Sequence, residues 1–324
     1  MKKEKPVTVF IPVKNAENTI EACVKSLLNQ TYKKKIIYVI DNMSTDKTYE
    51  ILKKFGKKIN LLRMAGPVPK LHNYIIDIAK TEFIAYTNAD CVLDKNWLKN
   101  LLKGFTSDDI IATAGYCATP KGLSKFQELI GLELENRFKK FPEYISRAPD
   151  MNLCVRTKYA KKVRFDERFI WSWETDFGYR LTKLGKMKYV PDAIVYHYHR
   201  PNWKSFFRQQ IKNAIMAPLT YWKNFDKIKG DHISTSSMAL SLMLFYFTLI
   251  SAILFMFSSK FIVFYIILFF SFLFLNMIET IRVAEKPNQF FMLFMIHIVR
   301  TVAWSVGIPK GIFNFIKNKW YKSK

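Results

Sequence analysis

The stretch FIAYTNADCVLD, residues 83–94, decides how the first half of the chain folds. Phe83, Ile84, Ala85 and Tyr86 have the apolar continuity of a strand buried on both faces. The run then ends in Asn88-Ala89-Asp90, an amide and a carboxylate where a core strand should stop. Upstream the plan repeats. Residues 7–13 are apolar and β-branched, 36–40 form a second such run, and 59–63 a short third. Between them, 15–28 and 70–80 carry helical spacing, and Ser44 or Asp46 is placed to cap another helix. Strands alternating with helices at this interval predict an α/β fold with a mostly parallel, doubly wound sheet. Such sheets bind ligands beyond the carboxyl ends of their strands. Asn15, Asp41-Asn42 and Asn88–Asp90 would then converge on one edge, facing a crevice and not the core.

Composition divides the 324 residues in two. Charge is concentrated in the first part, 51 Lys+Arg against 26 Asp+Glu overall, while the last part is rich in Phe, Leu, Ile and Met. A formal charge of +25 suits nucleic acid, an anionic membrane surface or a phosphate-rich substrate, although many lysines belong to solvated helix faces. No helix-turn-helix, zinc or RNA-binding motif accompanies the charge, so no nucleic-acid partner is expected. Cys23, Cys91, Cys117 and Cys154 are scattered without a CxxC pair, which argues against a zinc site or disulfide framework and for a reducing compartment. The opening MKKEKPVTVFIPVKN resembles a signal peptide, but its apolar run is short, contains Pro12 and lacks a cleavage site. It reads as a first strand, with the soluble part in the cytosol.

Residues 233–259 and 261–278 contain no charge, and each reaches the roughly 18 residues that mark a membrane span. Separated only at Lys260, they predict a tight hairpin. A third apolar segment, 288–308, is interrupted by His297 and Arg300. Lys310, Lys317, Lys319, Lys322 and Lys324 follow it and favour a cytosolic tail. Two spans return the tail to the cytosol, so the third helix is expected at the interface or packed obliquely, a third span being the alternative. Before the hairpin, NWKSFFRQQIKNAIMAPLTYW places Lys204, Arg208 and Lys212 four apart, the pattern of an amphipathic interfacial helix over about 203–217. The expected organisation is a catalytic domain over 1–230 and a membrane domain over 231–324.

Five segments in order resemble the inverting family 2 glycosyltransferases of the GT-A fold. VFIPVKNAENTIEACVKSLLNQTY is similar to the family's opening strand and helix, YVIDNMSTDKT to its VDDGSTD loop, and YTNADCVL to its D-x-D motif. MNLCVRTKYAKKVRFDERF and WETDFGYRLTKLGKMKYVPDAIVYHYHR are similar to the acceptor-side segment and to the segment with the general base and a late histidine. The resemblance implies that Pro12, Asn15, Glu17 and Asp41 line the base and ribose pocket. Asn73 would lie near the nucleotide, with Lys70 near the diphosphate. Asp90, helped by Asn88 and His197, would hold Mg²⁺ or Mn²⁺, and Glu174 or Asp176 would be the catalytic base. On a helix those two carboxylates point about 200° apart, and Glu174 aligns with the family's catalytic position. Of the alternating His197 and His199, one can face the cleft.

Two acids of the family pattern are amides here, Asn42 and Asn88. Function follows as membrane-bound transfer of a sugar from a nucleotide-sugar donor to a lipid-linked acceptor: a polyprenyl phosphate, a lipid-linked oligosaccharide or a glycolipid. Acceptor contacts are expected from 122–150. The alternatives are a degenerate nucleotide-sugar-binding membrane scaffold, favoured by the two amides, and a processive polysaccharide synthase, disfavoured by the absence of Q-x-x-R-W near Gln209.

Overall fold

The structure is a computed structural model that describes residues 4–317. Lys319, Lys322 and Lys324, part of the basic tail, lie outside the described residues. The chain divides into two compact units. The first comprises Met1–Lys121 and Lys140–Tyr198, the second Gly122–Lys139 and His199–Lys324. This division differs from the expected boundary near residue 230: residues 122–139 and 199–230 pack with the apolar helices.

In the first unit, β1 (Val7–Val13), α1 (Ile20–Leu28), β2 (Lys35–Asp41), α2 (Thr48–Lys53), β3 (Asn60–Arg63), α3 (Val68–Ile78) and β4 (Phe83–Tyr86) alternate as expected. After β4 come β5 (Cys91–Leu93), α4 (Trp97–Lys103) and β6 (Ile110–Ala118). The chain then makes α5 (Lys125–Phe138) of the second unit before returning for β7 (Leu153–Arg156), α6 (Thr157–Val163), α7 (Trp173–Leu181) and β8 (Lys186–His197).

These strands form one eight-stranded sheet of order β3-β2-β1-β4-β7-β6-β8-β5. The β3-β2-β1-β4 half is parallel, β7 is antiparallel to both β4 and β6, and β5 is antiparallel to β8. The sheet is therefore mixed: a doubly wound parallel half joined to an antiparallel-containing half. Strand β1 is central, and Val7, Val9, Phe10 and Ile11 are wholly buried. Pro12 is tolerated there because its ladder to β4 ends at Phe10–Tyr86, while it still pairs with Ile40 of β2. A proline lacks the N–H that a two-sided central position would need.

In the second unit, α8 (Trp203–Lys223) is followed by α9 (Ser236–Phe257), α10 (Ile262–Val283) and α11 (Phe290–Ile316). The last three are long and apolar enough to cross a membrane. Helix α10 runs past the charge-free segment through Glu279 and Arg282, which pair with each other at 2.7 Å. Helix α8 is longer than its amphipathic pattern and contains Pro218. Helix α11 packs along α8, with Trp304 Nε1 donating to Gln210 Oε1 at 3.1 Å. A Cβ at Gly307 would fall 2.5 Å from the Ala214 Cβ, and one at Gly311 2.3 Å from the Ile215 carbonyl oxygen. Small residues there let the two helix backbones approach closely.

Helix α5 opens with a capping box, Ser124 with Gln127, and buries Phe126 and Leu129 against Phe206, Leu293 and Ile296. Its Glu133 is buried and accepts hydrogen bonds from both terminal nitrogens of Arg300, one at 2.5 Å. Arg137 Nη2 adds a third at 3.2 Å. His297 lies with Nε2 3.6 Å from Glu133 and Nδ1 3.2 Å from Thr280 Oγ1. The charges that interrupt the third apolar segment are thus partnered inside the unit. Burial alone would raise the Glu133 pKa, but Arg300, Arg137 and His297 hold it well below the usual carboxylate range.

Candidate active site

The polar residues at the carboxyl ends of β1, β2 and β4 meet at one edge of the sheet. Asn15 follows β1 in the left-handed region, φ 51°, and Met43 follows β2 likewise at φ 54°. Non-glycine residues hold this conformation only where their surroundings enforce it. For Asn15 the enforcement is visible: its N–H donates to Ser44 Oγ at 3.0 Å and its Oδ1 accepts from Thr45 N at 2.8 Å. Glu17 continues the clamp by accepting from Lys47 N at 3.0 Å. Asn15 and Glu17 therefore shape the loop after β2.

Asp41 is fully buried, pairs with Arg63 Nε at 3.0 Å and accepts from Ser44 N. The Arg63 guanidinium lies over the Tyr49 ring, 4.5 Å from its centroid. Asn42 has a definite use. Its Nδ2 donates to Gly66 O at 2.9 Å and its Oδ1 accepts from Gly66 N at 3.2 Å. A carboxylate could accept from Gly66 but could not donate to it, so the amide is the group that ties this loop to the turn before α3. Lys70, exposed in the first turn of α3, lies against Gly66.

Asn73 is a departure from expectation. Its amide donates to Phe165 O and Glu167 Oε1, both at 2.9 Å, and accepts from Phe165 N at 2.9 Å. Both ends are engaged within the protein, so it fastens the 165–167 loop to α3 and does not offer a polar end to a nucleotide.

Beyond β4, Asp90 is about one-third exposed, and its Oδ2 lies 3.5 Å from Nε2 of His197, the last residue of β8. Pairing of β5 with β8 sets this approach through Cys91–His197, and Tyr198 N donates to Asp90 O at 2.9 Å. His199 is buried in the second unit, where its carbonyl accepts from Gln127. Of the two alternating histidines, His197 is the one beside Asp90.

Asn88 leads to a residue that sequence reasoning did not single out. Its Nδ2 donates to Asp150 Oδ1 at 3.2 Å. Asp150 is buried, just ahead of β7, and its Oδ2 accepts from Trp173 Nε1 at 2.8 Å. His72 Nε2 lies 3.5 Å from the same oxygen, while His72 Nδ1 donates to the Val68 carbonyl at 3.0 Å. Burial opposes ionisation of Asp150, but the bonds from His72, Trp173 and Asn88 outweigh it and hold the carboxyl below its ordinary pKa. Three elements, α3, the β4–β5 loop and α7, thus converge on one carboxylate. The only available sequence signal was an acid directly before MNLCVR.

Helix α7 begins after Ser172, another left-handed residue at φ 53°, and carries Glu174 in its first turn. Glu174 is half-buried, and burial, followed by the charge of Asp150, pushes its pKa up to about 7. Arg147 acts in the opposite sense and donates to Thr175 Oγ1 at 3.0 Å. Asp176 has a different setting. It is fully buried and paired with Arg180 at 2.7 Å, and Arg180 Nη2 also bonds the Arg164 carbonyl at 2.8 Å. Proton exchange with a substrate requires access that this salt bridge denies.

The donor set suits a hard divalent cation. Asp90 and His197 are adjacent, and Asn88 can add a neutral oxygen. Among the described residues no group of three or more His, Cys, Asp and Glu side chains is arranged to hold a metal. Mg²⁺ and Mn²⁺ commonly take one or two protein ligands and complete their shell from substrate phosphates and water, which this arrangement fits.

Polar residues gathered at the carboxyl ends of the parallel strands are where open α/β sheets bind their ligands. Residues 8–166 match the glycosyl transferase family 2 domain. The chain carries a glycosyl transferase family 2 domain. It is similar to the probable glycosyltransferase YdaM of Bacillus subtilis, 26% identical over all of this chain and 88% of that protein. It is also similar to a Methanococcus voltae dolichyl N-acetyl-alpha-D-glucosaminyl phosphate 3-beta-D-2,3-diacetamido-2,3-dideoxy-beta-D-glucuronosyltransferase, 25% identical over 95% of this chain and 99% of that one. Among solved structures, the mannosyltransferase PcManGT from Pyrobaculum calidifontis, in complex with GDP-Man and Mn²⁺, shares the fold. The TM-score is 0.57 at 14% identity, covering 99% of this chain and 89% of that one.

Proposed function

We propose that the protein is a membrane-bound inverting glycosyltransferase that moves a sugar from a nucleotide-sugar donor to a lipid-linked acceptor, with its catalytic unit in the cytosol. The single observation that carries this reading is the setting of Glu174. It is a half-buried carboxylate whose pKa is pushed up to about 7, in the same unit as the Asp90–His197 pair. A group with that pKa is ionised enough to accept a proton near neutral pH and basic enough to hold it.

In the proposed reaction Glu174 removes the proton of an acceptor hydroxyl as its oxygen attacks the anomeric carbon of the donor. The bond from that carbon to the nucleoside diphosphate breaks, and its electron pair leaves with the phosphate oxygen. Asp90, His197 and Asn88 would hold Mg²⁺ or Mn²⁺, which when bound would supply positive charge to the diphosphate. Lys70, exposed at the start of α3, adds a second cation for the same charge. Asn15, Glu17 and Asp41 set the loop after β2 that borders the nucleoside with Pro12. Asp176 is assigned to structure, and the base is Glu174.

The lipid-linked acceptor is supported by the three apolar helices and by the dolichyl-phosphate-linked substrate in the name of the Methanococcus voltae relative. The close packing of α11 on α8, which carries Lys204, Arg208 and Lys212, favours α9 and α10 as the spanning hairpin, with α8 and α11 at the interface. A degenerate scaffold loses its main support, because Asn42 has its own structural use. Glu174→Gln tests the assignment. It should lower transfer by about 10²- to 10⁴-fold while leaving donor binding within a factor of about three in calorimetric titration. Full transfer activity in that variant would remove Glu174 as the base.

A further inference from the structure

The carboxylate absent from the D-x-D position has a counterpart elsewhere in the fold. Asp150 lies 62 residues away in sequence, yet its Oδ1 meets the Asn88 amide at 3.2 Å. The two oxygens of Asp150 have separate partners: Oδ1 takes Asn88, and Oδ2 takes the Trp173 indole, with His72 near it. An ionised carboxylate only accepts, so the end of Asn88 that faces it is the NH₂ end. The Asn88 carbonyl oxygen is then left as the end that can serve a cation. An aspartate at 88 would instead bring two carboxylates to hydrogen-bonding distance in a buried setting, where both cannot stay ionised.

We propose that Asn88 and Asp150 are a matched pair in which Asp150, a positioning residue, replaces the first acid of the D-x-D motif. Asp150 anchors the amide by its nitrogen, presents its oxygen to the cation and diphosphate site, and supplies the negative charge that position 88 lacks. This rests on the nucleotide-sugar reading above. It also gives the departure at 88 a physical content: the acid has been exchanged across the β4–β7 junction and not lost.

The pair makes an unusual rescue available. In Asp150→Asn the Trp173 indole still needs an acceptor, so it holds the oxygen of the new amide and turns its NH₂ toward Asn88. Asn88 must then flip to accept, which directs its own NH₂ where an oxygen was presented. In the exchange Asn88→Asp with Asp150→Asn, the carboxylate at 88 accepts from the amide at 150 and keeps a second oxygen for the cation. Every hydrogen bond of the cluster is preserved with its direction reversed between 88 and 150.

The full-length protein, purified in detergent, is titrated with UDP and with GDP in the presence and absence of Mn²⁺, and Mn²⁺ occupancy is read by electron paramagnetic resonance. Asp150→Asn should weaken Mn²⁺-dependent nucleotide binding by about 10- to 100-fold, the range for removing an outer partner of a metal ligand. The exchanged double variant should recover most of that loss. A purely structural Asp150 would give no such recovery. Undiminished Mn²⁺ binding in Asp150→Asn, or a double variant as weak as the single one, overturns the proposal. If Asp150→Asn does not fold, Asn88→Ala carries the test, because it leaves Asp150 bonded to Trp173 and removes the presented oxygen together with the amide's bond to Asp150. Loss of Mn²⁺ there supports the pair, and unchanged binding sinks it. A wild-type protein that binds neither nucleotide refutes the donor reading itself, an outcome separate from wild-type binding that the variants leave unaltered.

Discussion

Glu133 in the second unit and Asp150 in the first are both buried acids, and they are held in different ways. Glu133 in the second unit faces two arginines, Arg300 and Arg137, and its charge is neutralised where it stands. Asp150 in the first unit is held by an indole, an amide and an imidazole, and its charge reaches Glu174, whose pKa it helps to raise. A buried acid locked between fixed cations contributes structure, because its field is cancelled locally. A buried acid whose charge reaches a second carboxyl can raise that neighbour's pKa.

The contrast can be broken from either side. The largest expected effect on stability is at the neutralised acid. Glu133→Ala leaves Arg300 buried without its partner, which costs about 3–5 kcal/mol and should appear as a large drop in the melting temperature of the detergent-purified protein. An unchanged melting temperature would mean that the cluster is solvated in the membrane-associated state.

Removing the acid beside His197 comes next. Asp90→Ala should abolish the Mn²⁺-dependent part of UDP or GDP binding in calorimetry, a loss of about tenfold or more, with little change in the melting temperature of the metal-free protein. Equal binding with and without Mn²⁺ in the wild type would refute a metal role for Asp90.

The field of Asp150 is read through pH. Glu174 must be ionised to act, so transfer should rise with pH to a midpoint near 7. Stability runs the other way. The folded pKa lies above the ordinary value of 4.5, so the contribution of this group is complete below about pH 4.5 and is lost as pH climbs through about 7. Glu174→Gln should flatten both trends over that window. An activity profile level from pH 5 to 8 would show that Glu174 does not set the rate.

The smallest effect belongs to Asn42→Asp, which restores the family's second acid and removes the bond donated to Gly66. A loss of about 1 kcal/mol is expected in chemical or thermal unfolding, the scale of one hydrogen bond. A gain in stability would contradict the structural use assigned to this amide.

Much of the fold was legible because its signals are local. Apolar runs bounded by polar residues marked β1, β2 and β4, and the absence of charge marked α9 and α10. Asp41, Asp90 and His197 were legible through strand ends and the resemblance to the family. What escaped the sequence depends on distant pairing. His72 carried no pattern of its own, and Asp150 gains its meaning only from Asn88, Trp173 and His72, which belong to three other elements. Asn73 looked available for a nucleotide because nothing nearby in sequence announced that Phe165 would take both ends of its amide. Helix α5 read as part of the catalytic domain because its position in the chain lies between β6 and β7, whereas its partners Leu293, Ile296 and Arg300 come last.

The order of those partners has a consequence for biogenesis. Glu133 precedes Arg300 by 167 residues, and at roughly 5–20 residues per second a ribosome needs about ten to thirty seconds to cover that interval. Throughout it, Glu133 has been made and Arg300 has not. The sheet can close around β7 and β8 before α5 has a permanent seat. A nascent chain released before α11 is complete therefore leaves Glu133 with Arg137 of its own helix and without Arg300.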